Sequence, residues 1–298
     1  MMYHQHTYEL SGKLLLEAIA ALADLATLRS ANLDGCALTA FPTPMLDLGA
    51  LTQLSLFDNQ LATLPGEIAR LSLLQTFNIS QNYLTSLPDE IGVLEQLAML
   101  DIGHNHLSSL PASIGALQNL VFLYASNNQL SRLPSSFSHL SSLRYLNITD
   151  NHFNELPGWL SDLTALIELR IYNNEISAFP EGIGALSHLV EIHTYQNQIT
   201  ALPDSIGQLS SLAKFDLQGN RLTALPDSIG QLTHLTELNL RFNSLSNLPS
   251  SFTQLHSLEY LDLRVHEASR SQPRSASPGQ HEPLPPPRAD RFRIWDAR

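Results

Sequence analysis

Cysteine is all but missing from this chain: its 298 residues hold one, Cys36. A single cysteine excludes an intrachain disulfide, and the lack of a disulfide framework fits a reducing compartment. Charge is sparse, at 15% of residues, and positive charge is sparser still. Sixteen Lys and Arg face 28 Asp and Glu, for a formal net charge of −12. That balance argues against nucleic acid or an anionic membrane as partner, because phosphates would be repelled. The segment from Met1 to Tyr8 is polar, with no apolar run long enough for a signal peptide or a membrane span. A cytoplasmic location is therefore expected. The phosphate loop G-x-x-x-x-G-K-[ST], the kinase signature set and H-E-x-x-H are all missing. With no catalytic constellation in view, the sequence predicts no catalytic residue, no cofactor and no metal.

What is present is a repeat. An asparagine recurs every 23 residues at Asn59, Asn82, Asn105, Asn128, Asn151, Asn174, Asn197, Asn220 and Asn243, and Cys36 stands one step earlier in the same register. A fixed period of this length marks a stacked array. Around Asn105 the apolar positions are Leu97, Leu100, Ile102, Leu107, Leu110, Ile114 and Leu117, with Pro111 among them. Around Asn220 they are Leu212, Phe215, Leu217, Leu222, Leu225, Ile229 and Leu232, with Pro226.

The spacing carries the physics. Apolar residues five and three before each asparagine alternate, so both point inward from a short strand. The proline cannot continue a sheet ladder and turns the chain. The following I-G-x-L-x-x-L stretch has helix-like spacing and packs its apolar side on the strand layer. One repeat cannot bury its own leucines; stacked neighbours can. The asparagine amide both donates and accepts, so it can satisfy backbone groups of adjacent turns. Cys36, in the same column, is expected to be a small, buried, structural residue rather than a nucleophile.

The boundaries follow. Residues 1–27 are expected to form an N-terminal helical cap, with Leu15, Ile19, Leu22 and Leu25 at helical spacing from Lys13 to Ala26. Residues 28–265 hold ten repeats and a partial eleventh. Residues 266–298 turn rich in Ser, Pro and Arg, with six arginines against four acidic residues, which leaves −14 for residues 1–265. That composition predicts a disordered tail. The array then ends without a sequence-recognisable cap, a surface that could also serve self-association.

The strand positions six, four and two before each asparagine face the concave side and vary far more than the outer segment. Aromatic and charged residues collect in the middle repeats: Phe122, Tyr124, Tyr145, Glu168, Arg170, Tyr172, Glu191, His193 and Tyr195. The register sets them facing solvent. Tyrosine and arginine are enriched at binding hot spots, and exposed aromatic clusters commonly have a partner. These nine residues are the candidate partner-binding set, and an acidic array favours a protein or peptide with basic surface. The plainer reading is that tyrosines merely suit strands.

Other motifs weigh less. His104, His106 and His152 read as scattered surface histidines, since no ligand set accompanies them. Asn78-Ile79-Ser80 and Asn147-Ile148-Thr149 match the glycosylation sequon by strand alternation. Pro283 to Arg288 has a P-x-x-P-x-R form, for which a solvated linker is the simpler account.

Taken together, L-x-x-L-x-L-x-x-N-x-L followed by x-x-L-P-x-x-I-G-x-L resembles the 23-residue class of leucine-rich repeat proteins, over Leu28 to Leu263. The resemblance implies an α/β solenoid, a curved horseshoe with parallel strands on its concave face and short helical or irregular segments outside. It also implies a non-enzymatic binding module or scaffold. Intracellular Ras-group scaffolds share the class, as do bacterial effectors delivered into host cells. The alternative reading is therefore the recognition part of an effector or enzyme, ubiquitin-ligase-like or kinase-linked, whose catalytic domain is not in this chain.

Overall fold

The computed structural model describes residues 27–264. The expected cap helix and the Pro/Ser/Arg-rich tail lie outside the described residues. Eleven three-residue strands, β1 (Ser30–Asn32) to β11 (Tyr260–Asp262), recur every 23 residues. They form one open parallel sheet in strict chain order, the architecture of a leucine-rich repeat horseshoe. Each strand residue pairs with its equivalent 23 positions on, as in Glu168↔Glu191, Leu169↔Ile192 and Arg170↔His193. The period of the sequence is thus the register of the sheet.

The central residue of nearly every strand and the residue just beyond its end point inward. Leu100 and Ile102, or Phe215 and Leu217, are buried in one core that runs the length of the array. Behind the strands each proline opens a five-residue 3-10 turn: Pro111, at φ −70° and ψ 148°, precedes Ala112–Ala116. Among the described residues the outer segments are all of this kind. Close stacking explains the narrow form. A Cβ added to Gly115 would stand 2.4 Å from the Ser136 carbonyl oxygen of the next repeat, and one added to Gly207 would stand 2.4 Å from that of Ser228.

The asparagines tie the turns together. Asn151 is buried, and its Nδ2 donates to the carbonyls of Ile148 (3.2 Å) and Thr149 (2.9 Å) in its own repeat and of Ala125 (3.0 Å) in the one before. Its Oδ1 accepts the Leu130 N–H at 2.9 Å. The same pattern recurs from Asn59 to Asn243, so one side chain satisfies backbone groups that neither strand nor turn can reach. Just before each asparagine the backbone enters the left-handed region, with φ of 51–57° from Asp58 to Gln196 and 67° at Gly219. Asp, Asn and Gly tolerate that region best.

Cys36 departs from expectation. It is half-buried rather than buried, and its thiol lies 3.4 Å from the Asp34 carbonyl oxygen. A ladder asparagine reaches back to the preceding repeat, as Asn59 does to Leu33. Among the described residues no repeat precedes this one, so its column position carries no such bond there.

Candidate functional site

The middle residue of the three face positions has a structural task that the sequence pattern did not reveal. In seven repeats it is Asn or Asp, and its Oδ1 accepts the backbone N–H two residues on, at 2.8–3.2 Å. Such an Asx turn steadies the chain as it leaves the strand. In the second repeat Ser55 stands there, and Asp34 Oδ1 of the neighbouring repeat takes the Phe57 N–H instead, at 3.0 Å. Three repeats give up the acceptor altogether, at Tyr124, Arg170 and His193. Around those three residues the expected cluster assembles.

β5 (Phe122–Tyr124), β6 (Tyr145–Asn147), β7 (Glu168–Arg170) and β8 (Glu191–His193) supply its floor. Tyr145 lies 4.9 Å from Tyr124 and 6.2 Å from Phe122, ring centre to ring centre. The Arg170 guanidinium sits 5.4 Å above the Tyr145 ring. Tyr172 and Tyr195 stack at 4.2 Å with their planes 11° apart. All nine residues therefore belong to one patch, seven on the four successive strands and Tyr172 and Tyr195 two residues beyond β7 and β8.

Tyr145 corrects the sequence reading. It does not face solvent: it is 3% exposed, and its hydroxyl has no hydrogen-bond partner. Phe122, Tyr124 and Arg170 close over it from the flanking strands. The other eight are half-buried.

The sheet register sets Glu168 directly opposite Glu191, an arrangement that repels unless cations intervene. Arg170 Nε meets Glu168 Oε1 at 2.6 Å, and His193 Nε2 meets Glu191 Oε2 at 3.2 Å and Glu168 Oε1 at 3.8 Å. Lys214, at the start of β9 (Lys214–Asp216), bridges Glu191 at 3.6 Å and Glu237 at 3.7 Å. The sequence reading left Lys214 out of the site, although it stands in the same column as Glu168 and Glu191.

These contacts set the ionisation of the patch. The hydrogen bond from His193 holds the Glu191 carboxyl below its usual range, against the opposing effect of burial and with help from Lys214. Burial lowers the Arg170 guanidinium, but Tyr145 and Glu168 outweigh it and the net shift is upward. Burial, with Asp101 nearby, pushes the Tyr124 phenol up to about 12, and burial also raises Tyr145 and Tyr195. Asp101 and Asp216 are raised by burial as well, partly offset by the N–H groups they accept. The phenols thus stay protonated near neutral pH, as ring surfaces and hydrogen-bond donors.

Glu168, Glu191 and His193 also bring three metal-ligating atoms within 4.8 Å of one another. Arg170 and Lys214 pair with those same carboxylates. His104 and His106 diverge. His104 meets Asn127 at 3.4 Å along the loop edge, and His106 stacks on the exposed Tyr83 ring at 5.9 Å. They border a polar groove of about 520 Å³ with Asp58, Gln81 and Asp150. No helix among the described residues is long and apolar enough to cross a membrane.

Comparison with known proteins places this geometry. A family model described as "Leucine-rich repeat region" matches residues 73–143, 135–216 and 194–275. No curated protein sequence matches the chain. Among solved structures, a leucine-rich repeat protein of Leptospira interrogans is 30% identical over 81% of this chain and 80% of its own, with a TM-score of 0.42. The plant peptide hormone receptor RGFR1, in complex with RGF2, is 28% identical over 87% of this chain and 49% of its own, with a TM-score of 0.64. The Arabidopsis receptor kinase HAESA, in complex with the peptide hormone IDA and the co-receptor SERK1, is 27% identical over 82% of this chain and 48% of its own, with a TM-score of 0.62. The present chain spans about half the length of those two receptor chains.

Proposed function

We propose, from the premise that this chain belongs to the leucine-rich repeat proteins, that it is a non-enzymatic binding module whose sheet face at the fifth to eighth repeats takes a protein or peptide. One observation carries the reading. A structural acceptor present in seven repeats is replaced at Tyr124, Arg170 and His193, where aromatic rings and paired charges gather instead. A repeat array loses stabilising hydrogen bonds by that exchange, and a recognition surface is the gain that accounts for it. The peptide-bound receptors of the same fold support the class of partner.

Residues 1–265 carry −14, so the partner we infer has basic surface and is neither nucleic acid nor membrane. A cytoplasmic scaffold is the role that this composition suits best. The alternative is the recognition portion of an effector or enzyme whose catalytic part lies in another domain or chain. It would share the same face and differ in what is attached to it.

The test is affinity capture by the full chain beside a Tyr172→Ala/Tyr195→Ala variant, with the partners identified by mass spectrometry. Proteins lost from the variant alone, and released by raised salt, support the reading. An identical set on both chains would remove the face as the binding site.

A further inference from the structure

The three repeats that lack the acceptor leave their backbone donors behind. In the sixth repeat Asn147 Oδ1 takes the Thr149 N–H at 3.1 Å, and in the ninth Asp216 Oδ1 takes the Gln218 N–H at 3.1 Å. Between them stand Arg170 and His193, whose side chains have no acceptor oxygen and are turned to Glu168 and Glu191. The equivalent N–H groups, of Tyr172 and Tyr195, find no oxygen among the described residues, and neither does that of Ser126. On either side of Tyr172 the backbone is engaged: Ile171 N–H reaches the His193 carbonyl and Asn173 N–H reaches the Tyr195 carbonyl, both at 2.9 Å. The Tyr172 and Tyr195 donors stand where an Asx oxygen serves the flanking repeats, on the sheet face.

One more feature shares that spot. The stacked rings of Tyr172 and Tyr195 belong to the same two residues, so a flat apolar wall adjoins the pair of donors. Unpaired backbone donors are uncommon in folded proteins, and two beside a half-buried ring pair mark a place for acceptors from outside.

We infer that an extended peptide segment crosses the seventh and eighth repeats and places acceptor oxygens on the Tyr172 and Tyr195 N–H groups, where Asn147 and Asp216 serve the flanking repeats. This rests on the binding-face reading above. Main-chain carbonyls, or the amide oxygens of Asn and Gln side chains, are the groups that fit. They are neutral, so the carboxylates of Glu168, Glu191 and Glu237 do not repel them, and an extended chain offers them at regular intervals. Basic side chains beside those carbonyls would meet the same acidic residues. Specificity then comes from the side chains flanking the oxygens, and the backbone contacts fix the direction in which the segment lies.

The experiment uses a substitution pair with the same branching and the same number of side-chain heavy atoms. Arg170→Asn/His193→Asn restores the Asx acceptor in both repeats and caps the two N–H groups from within. Arg170→Leu/His193→Leu removes the same two side chains and leaves the N–H groups open. The probe is a synthetic dodecamer, the tightest binder selected from a random phage-displayed library against the full chain. The expected result is slowed exchange of the Tyr172 and Tyr195 amide protons on addition of the dodecamer to the unsubstituted chain. The Asn pair is expected to bind about tenfold more weakly than the Leu pair, the worth of two ordinary hydrogen bonds. Equal weakening by both pairs, with unprotected amides, overturns the backbone contact and leaves the binding face standing. Binding unchanged in both pairs overturns the contact and the face together.

Discussion

Tyr172 stacks on Tyr195, one repeat away, with ring centres 4.2 Å apart and planes 11° from parallel. Twenty-three residues of sequence become a single ring-to-ring contact because each strand lies in register beside the next. The same translation sets Glu168 opposite Glu191 and Arg170 opposite His193. Side chains one period apart are the nearest neighbours of this protein, and its testable properties follow from pairs of that kind.

Asn151→Ala removes donors to Ala125, Ile148 and Thr149 and the acceptor of the Leu130 N–H. Each buried group left without a partner costs roughly 1–3 kcal/mol. A loss of about 3 kcal/mol is expected in urea unfolding followed by circular dichroism. A loss below about 1 kcal/mol would mean that water or neighbours replace the amide.

Tyr145→Phe and Tyr145→Ala separate ring from hydroxyl. The hydroxyl is buried and unpartnered, so the Phe variant is expected to be as stable as the parent or up to about 1 kcal/mol more so. The Ala variant leaves a cavity beneath Phe122, Tyr124 and Arg170 and is expected to lose about 3 kcal/mol. Thermal unfolding of both decides the matter; a destabilised Phe variant would show that the hydroxyl has a partner.

Glu191→Gln gives a pH-dependent loss. The folded chain holds this carboxyl below its ordinary value of 4.5, chiefly through the His193 hydrogen bond. A depressed acid stabilises the fold fully above that unfolded value and loses the contribution as pH falls through the folded one. The parent is therefore expected to unfold at a higher temperature than the variant at pH 7, with the gap closing as the pH drops below 4.5. A gap that stays constant from pH 7 to pH 3 would contradict the charge origin.

Gly207→Ala and Gly158→Ala test the outer stacking. A Cβ at Gly207 meets the Ser228 carbonyl oxygen at 2.4 Å, whereas one at Gly158 meets nothing within 4 Å. The first change is expected to cost about 1–3 kcal/mol as the turns are forced apart. The second is expected to lie near neutrality in the same denaturant series.

Much of this was legible in advance at the level of position. The inward residues, such as Leu100 and Ile102, and the turn-forming Pro111 follow from local periodicity and covalent geometry. So do the two columns that hold Glu168 with Glu191 and Arg170 with His193. Helix-like spacing in the outer segment became 3-10 turns, because Gly115 brings its backbone against Ser136 and leaves no room for a wider coil. The Asx role of Asn147 and Asp216 went unseen: it joins a side chain to a backbone N–H two residues on, and no hydrophobic pattern records that.

The chain alone determined the period, the parallel register and the inward stripe of leucines, because these depend on which residues repeat and on how a strand alternates. Only the folded stack decided that Tyr145 would be covered, that Lys214 would join Glu191, and that Tyr172 and Tyr195 would keep open backbone donors. Those outcomes depend on what stands 23 residues away on either side, and a half-open face is exposed or closed by the size and charge of its neighbours rather than by its own register.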